Sequence, residues 1–439
     1  MPKSVGIISL GCPKNLVDSE RLMGRIAEAG GIVCANVEDA EIVIVNTCGF
    51  IEEAKQESLD FIRQAADLKK AGRCQRLIVA GCLAQRYGEA LRETVPEIDD
   101  IVGLSEVPRL VRICCEEPPA PDARRPDDDT ARLRLTPRHY AYLRLSEGCN
   151  NRCHYCIIPS IRGPLKSKPL DLLVQEAREL VADGAVELNL IAQDITAYGL
   201  DISGRSMLPD VIRAVSPLEG LRWVRLLYTH PAHFTDEVIA EVARNNRVCK
   251  YIDMPIQHIN DRILERMGRK VTKPQTVSLI GRLRRQVPGI SLRTSLIIGF
   301  PGETDDEFAE LCDFVRATRF ERLGAFAYSR EEGTAAADYP DQIPDDVKQA
   351  RLETVMKLQQ KIAFEQTAAM VGKHVEVLID RPSGEERSVW EARTQGDAPE
   401  VDGLVLVRGK RLKAGRFCPV RIVSARGYDL IGISSIHPK

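Results

Sequence analysis

The chain has 439 residues, 44% hydrophobic and 28% charged, enough for about three cores at the usual ~150 residues per domain. Its 61 basic and 63 acidic residues leave a net charge of −2, which makes no global electrostatic case for nucleic-acid or acidic-membrane binding. Thirteen cysteines, an odd number in a chain too large to need disulfide staples, point to metal or redox chemistry in a reducing compartment.

The start, MPKSVGIISLGCPKN, lacks a signal-peptide apolar run, and no segment reaches the roughly 20 apolar residues of a membrane span. A cytoplasmic protein is expected. Residues 1–115 alternate β-branched runs (VGIISL, IVIVN, LIVAG) with helical stretches 15–29 and 51–70, which predicts an α/β domain on a parallel sheet. The stretch EEPPAPDARRPDDDT opens a linker, residues 116–135, with little that can pack.

Residues 136–370 repeat the β-then-α pattern through YLRLS, VELNLIA, WVRLLY, YIDMPI, RTSLIIGF and LGAFAY. Six units predict a partial (β/α)6 barrel rather than the closed eight-unit form. A long helix over 344–370 follows. Residues 371–439 change to HVEVLID, SVWEAR, LVLVRG, FCPVRIV and YDLIGI between Gly and Pro turns, a small antiparallel β-barrel of OB-like size.

Two sets of cysteines stand out. Cys149, Cys153 and Cys156 lie in GCNNRCHYC directly after the first barrel strand, at the strand end where barrel enzymes place their chemistry. C-x3-C-x2-C supplies three thiolates and leaves a fourth position open. An iron–sulfur cluster fits that count; zinc, with His154 as fourth ligand, is the other reading. Cys12, Cys48 and Cys82 are 36 and 34 residues apart, yet each follows one of the three short strands of the first domain. The carboxyl ends of parallel strands share one sheet edge, so these thiols either form a second three-ligand site or are simply buried.

Weaker candidates surround the barrel triad. Gln193 and Asp194 end the second barrel strand. Gly299 and Gly302 in IIGFPGE permit close backbone approach to a ligand, or merely form a strand-to-helix turn. Arg293 is a carboxylate partner or a solvated charge, and Tyr155 shields a cluster or packs. The other cysteines (Cys34, Cys74, Cys114, Cys115, Cys249, Cys312, Cys418) read as core thiols.

The triad after a first strand resembles the radical S-adenosylmethionine (SAM) superfamily. With SLGCPKNLVDSE, NTCGFIEEAKQES, GCLAQRY, SEGCNNRCHYCIIPSIRGP, QDITAYG, GFPGET and YSREEGT, the whole chain resembles the methylthiotransferase family, whose last domain is a TRAM β-barrel. SLGCPKN in place of a YGCQMN-type start, and DAPEVDG at 397–403, resemble the branch that modifies small-subunit ribosomal protein uS12.

The resemblance implies two [4Fe–4S] clusters, one on each triad, and SAM as radical source and methyl donor. It implies addition of a methylthio group to the β-carbon of an aspartate of uS12, free or in the small subunit. An electron-donor protein and a sulfur source are implied as further partners. Tyr155, Gln193, Asp194, Arg293, Gly299 and Gly302 are then expected around SAM. A tRNA adenosine methylthiotransferase is the alternative within the family, and a non-catalytic iron–sulfur or zinc carrier the alternative outside it. From Val371 to Lys439 there are 12 Lys and Arg against 9 Asp and Glu, a weak bias for a tRNA-gripping module. KSKP (166–169) and RGKRLK (408–413) are either RNA contacts or solvated faces, and nucleic-acid binding is not expected to be primary.

Overall fold

The computed structural model describes residues 3–115, 128–384, 386 and 388–435. Strands β1 (Ser4–Ser9), β2 (Ile32–Val33), β3 (Ile42–Thr47), β4 (Arg76–Gly81) and β5 (Asp100–Val102) form a parallel sheet in the order β2-β1-β3-β4-β5. β3 is buried at every position, as a central parallel strand covered on both faces should be. Helices α1 (Pro13–Glu28), α2 (Glu52–Lys70) and α3 (Cys82–Tyr87) follow β1, β3 and β4. Those three strands are neighbours, so their carboxyl-end loops lie side by side.

The second sheet contains β6 (Tyr140–Arg144). A short ribbon, β7 (Ser146–Glu147) with β8 (Lys166–Ser167), interrupts the chain before β9 (Glu187–Ile191). β10 (Trp223–Leu226), β11 (Val248–Asp253), β12 (Ser291–Ile298) and β13 (Arg322–Ala327) continue it in sequence order, all parallel. The result is the expected partial barrel, open between β6 and β13. Six strands leave an interior that the sheet cannot fill alone. Its inward Tyr140, Tyr142, Trp223 and Tyr251 pack with Leu16 and Val17 of α1 from one side, and with Leu378, Ala398 and Phe417 from the other.

The last strands, β14 (His374–Pro382), β15 (Val389–Arg393), β16 (Val405–Arg408), β17 (Phe417–Arg426) and β18 (Asp429–Ser434), close a barrel in the order β14-β15-β16-β18-β17. β16 and β18 pair in parallel, the rest antiparallel. An odd number of strands cannot close with alternating directions throughout, so the expected antiparallel barrel carries one parallel pair. The β15–β16 loop reaches into the open barrel. There Asp397 pairs with Arg322, Glu400 accepts from Tyr140 Oη at 2.8 Å, and Asp402 accepts from Tyr251 Oη at 2.7 Å.

The linker expectation needs correction. Residues 116–127 lie outside the described residues, but Asp128, Asp129 and Thr130 are buried. Asp129 takes Arg144 at 2.6 Å and Lys168 at 2.6 Å, and its N–H donates to Glu176 at 2.8 Å. Charge pairing holds this stretch, which a composition-based reading misses. Lys168 is thereby sealed inside and is neither an RNA contact nor a solvated face.

The first domain spans the mouth of the partial barrel. At one lip, Asp18 of α1 pairs with Arg144 of β6 at 2.5 Å. At the other, Arg86 of α3 pairs with Glu331, beyond β13, at 2.9 Å, and Glu331 also accepts from the Glu52 N–H at 3.0 Å. Among the described residues no helix is long and apolar enough to cross a membrane.

Candidate active site

Cys12, Cys48 and Cys82 meet at the sheet edge predicted for them. Gly11 has φ +83°, and a Cβ there would stand 2.7 Å from Cys48 Cβ. Gly81 has φ +93°, and a Cβ there would run into Asn46 Oδ1. Both positions therefore require glycine. Asn15 Nδ2 donates to the carbonyls of Leu10 (2.6 Å), Asn46 (3.2 Å) and Thr47 (3.2 Å), tying the first loop to the second. Ser58 Oγ closes the second loop by bonding both the N–H (3.0 Å) and C=O (2.9 Å) of Cys48.

The thiols differ in charge environment. Burial acts to raise Cys12, but Lys14, Arg162 and two backbone N–H groups at the start of α1 outweigh it and hold the thiol below its ordinary value. Burial raises Cys48, and pushes Cys82 up to about 12 despite an Arg162 Nη2 donor 3.3 Å from its sulfur. Two buried neutral thiols beside one thiolate-favouring position suit ligands that lose their protons to a metal.

The barrel triad sits on a loop shaped by its own asparagines. Gly148 has φ +71°, and a Cβ there would run into the Pro164 carbonyl. Asn150 Oδ1 accepts from the Leu165 N–H at 3.0 Å, and Asn151 Nδ2 donates to Asp194 Oδ2 at 2.9 Å. Burial pushes Cys149 up to about 11 and Cys156 to about 12. His154 is turned away: its Nδ1 lies 2.9 Å from the Arg266 carbonyl and 2.6 Å from Tyr339 Oη. It is placed to fix the loop rather than to serve as a fourth ligand.

The helix Ile158–Arg162, which begins two residues after Cys156, carries the chain from the barrel loop to the first domain. Ile157 and Ile161 pack against Cys82. Arg162 binds Glu147 and Asp18, each at 2.9 Å, and donates to the Cys82 sulfur. Among the described residues only Asp194, His230 and His233 bring three metal-ligand atoms within 4.8 Å of one another.

The weaker candidates separate. Gln193 Nε2 donates to Glu147 Oε1 at 2.9 Å while its Oε1 is buried without a partner, as an acceptor awaiting a donor would be. Both oxygens of Asp194 are taken, by Thr196 and Ala197 on one and by Asn151 and His233 on the other. Asp194 thus braces the cysteine loop rather than offering a free oxygen to an amine. Arg293 is a carboxylate partner, with Asp253 at 2.9 Å and Asp402 at 3.6 Å. The Tyr155 ring packs with Ile263, Met267, Phe300 and Tyr328, and its hydroxyl lies 3.5 Å from Arg269. Gly299 and Gly302 have φ +71° and +81°, and face Lys348 and Arg266 closely. Local packing alone accounts for both glycines.

Comparison with known proteins gives three family matches: uncharacterized protein family UPF0004 at residues 4–103, the radical SAM superfamily at 143–315 and a TRAM domain at 371–434. Ribosomal protein uS12 methylthiotransferase RimO of Geobacter sulfurreducens is 45% identical over 438 residues, covering 98% of each chain. That of Geotalea uraniireducens is 46% identical at the same coverage, and that of Myxococcus xanthus 43% identical over 98% of this chain and 91% of its own. This chain belongs to the RimO family. Among solved structures, the radical SAM methyltransferase TsrM from Kitasatospora setae matches with TM-score 0.54 at 15% identity, covering 94% of this chain and 84% of that one. The cobalamin-dependent radical enzyme OxsB matches with TM-score 0.51 at 12% identity, covering 81% and 56%. These likenesses concern the fold alone.

For this RimO-family chain, sequence reading passed over Lys14, Arg162 and Arg269. Arg269 Nη1 lies 3.9 Å from the Cys153 sulfur and is buried beside Tyr155. Arg162 and Lys14 stand within the quoted SEGCNNRCHYCIIPSIRGP and SLGCPKN stretches. For Lys14 and Arg162 the available signal was a charged residue a few positions from a candidate cysteine; Arg269, 116 positions from Cys153, carried none.

Proposed function

We propose that this chain is a uS12 methylthiotransferase that places a methylthio group on the β-carbon of an aspartate of uS12. In this reading Cys149, Cys153 and Cys156 hold one [4Fe–4S] cluster, and Cys12, Cys48 and Cys82 hold a second. Support comes from the full-length likeness to uS12 methylthiotransferases and from Arg162, which follows the barrel cysteine loop and donates to the Cys82 sulfur of the first domain. When bound, the clusters and SAM supply homolysis of an aliphatic C–H bond and a methylated sulfur, chemistry outside the reach of side-chain acids and bases.

The chain's own residues orient and insulate these groups. Asn150, Asn151 and Asp194 shape the barrel loop, while Asn15 and Ser58 lock the first-domain loops. Arg162 and Arg269 place positive charge beside the Cys82 and Cys153 sulfurs. Gln193 offers its free acceptor to the amino group of SAM. A cytoplasmic location, a protein electron donor and a separate sulfur source belong to the same reading.

Anaerobic reconstitution is expected to give about eight irons per chain, falling to about four in a Cys12→Ala, Cys48→Ala, Cys82→Ala triple variant. Mass spectrometry of uS12 from cells lacking the protein is expected to show loss of the methylthio group. Its persistence there would sink the assignment.

A further inference from the structure

The buried cations around the two triads differ in what satisfies them. Arg162 is shared by Asp18 and Glu147, Arg293 pairs with Asp253, and Arg269 donates to the Pro255 carbonyl at 2.5 Å. Lys14, two residues beyond Cys12, has no such partner: among the described residues no carboxylate or carbonyl closes on its Nζ. Its side chain is only 9% exposed. The ammonium stands 3.3 Å from the centre of the Tyr228 ring.

A cation–π contact of this kind recovers only part of what removing an ammonium from water costs. Asp253 and Glu147 face Lys14 from the barrel, with Cys12 and Arg162 on the other sides, yet neither carboxylate reaches it. The arrangement is built rather than accidental. Tyr228 has φ +61°, a backbone conformation costly for a bulky residue. It is held there by its N–H to Asp253 Oδ2 at 3.0 Å and its carbonyl to the Ile195 N–H at 3.0 Å. A strained backbone thus presents an aromatic face beneath an ammonium that has no hydrogen-bond partner among the described residues and whose strongest charge partner is the Cys12 sulfur.

We propose that Lys14 binds the carboxylate of the substrate aspartate, resting on the uS12 reading above. In aspartate the reacting β-carbon is bonded directly to the carboxylate carbon. An ammonium that holds the carboxylate beside Cys12 therefore fixes the reacting carbon one bond away, next to the sulfur-bearing site. It also sets specificity. Asparagine has nearly the same shape but leaves the ammonium unpaired, and that cost falls on the wrong side chain.

The test measures binding of a fluorescent peptide, carrying the target aspartate of uS12 or asparagine in its place, to the iron-loaded enzyme. The unaltered enzyme is expected to bind the aspartate peptide at least tenfold more tightly. Lys14→Met, matched to it in iron content, is expected to bind both peptides equally, and Lys14→Arg to keep the preference. If Lys14→Met does not load iron, Lys14→Gln carries the same comparison. Failure of both variants to load iron overturns the proposal in favour of charge balance at Cys12. An unchanged preference in Lys14→Met also overturns it. If the unaltered enzyme modifies the aspartate peptide while that preference stays unchanged, only the role of Lys14 falls. If it modifies tRNA and not the peptide, the uS12 reading falls.

Discussion

His230 shows how one buried side chain ties stability to pH. Its Nδ1 accepts from the Ala232 N–H at 3.1 Å, and its ring stacks on His233 at 5.1 Å. Burial, then the nearby Arg269, lowers its pKa from the ordinary 6.5 to about 3, so it folds neutral. The unfolded chain takes up this proton as pH falls below 6.5, whereas the folded chain does not until about 3. The stabilisation is therefore complete above pH 6.5 and is lost on the way down. Between pH 7.5 and 5 the loss amounts to about 2 kcal/mol. Denaturant midpoints at those two pH values are expected to converge in His230→Asn, which keeps an acceptor without titrating. An equal fall in both proteins would remove His230 as the source. None of this is legible in the sequence, where THPAH (229–233) shows only two histidines three apart. The glycines were more readable: Gly11, Gly81 and Gly148 each precede a predicted ligand, and all three have positive φ.

At the scale of elements, the five-residue helix Ile158–Arg162 joins the two triads. Arg162 is 8% exposed and carries Asp18 from one domain, Glu147 from another and a hydrogen bond to Cys82. Arg162→Met leaves buried carboxylates short of a partner and is expected to cost about 3–5 kcal/mol. Arg162→Lys keeps the charge but cannot fork between two acids, so an intermediate loss is expected. Thermal melts of the iron-loaded variants decide this, and a Lys variant no better than Met would mean that charge is not what Arg162 supplies. The strands leading to Cys12, Cys48 and Cys82 were predictable because short β-branched runs are distinctive and each of these cysteines follows one. The packed half of the linker was not, because Asp129 is buried by Arg144 and Lys168, residues 15 and 39 positions away. Composition sees an aspartate-rich loop; only the tertiary partners turn it into a core element. Gly299 and Gly302 went the other way, since Lys348 and Arg266 explain them without a ligand.

For the whole molecule, the last domain completes the barrel rather than hanging from it. Arg393 of β15 shares Glu187 with Arg225, and all three are buried. The 394–403 loop covers Tyr140 and Tyr251 and neutralises Arg293 and Arg322. A chain ending at Met370 uncovers an aromatic barrel interior together with cations that have lost partners. It is expected to aggregate or to lose iron-binding capacity at the barrel triad, as read by size-exclusion chromatography and iron analysis. A monodisperse, fully loaded 1–370 chain would show the last domain to be dispensable for folding. The sequence announced a separate β-barrel from its Gly and Pro turns, but a loop entering another domain leaves no periodic trace.

The two clasps across the barrel mouth, Asp18–Arg144 and Arg86–Glu331, lie at opposite lips of the same opening. Both anchor the first domain, and each sets a buried partner, Arg144 or Glu331, against a half-buried one, so that rupture would strand a charge. The separation of the two thiol sites is therefore fixed when the chain folds, not adjusted by a ligand-driven swing.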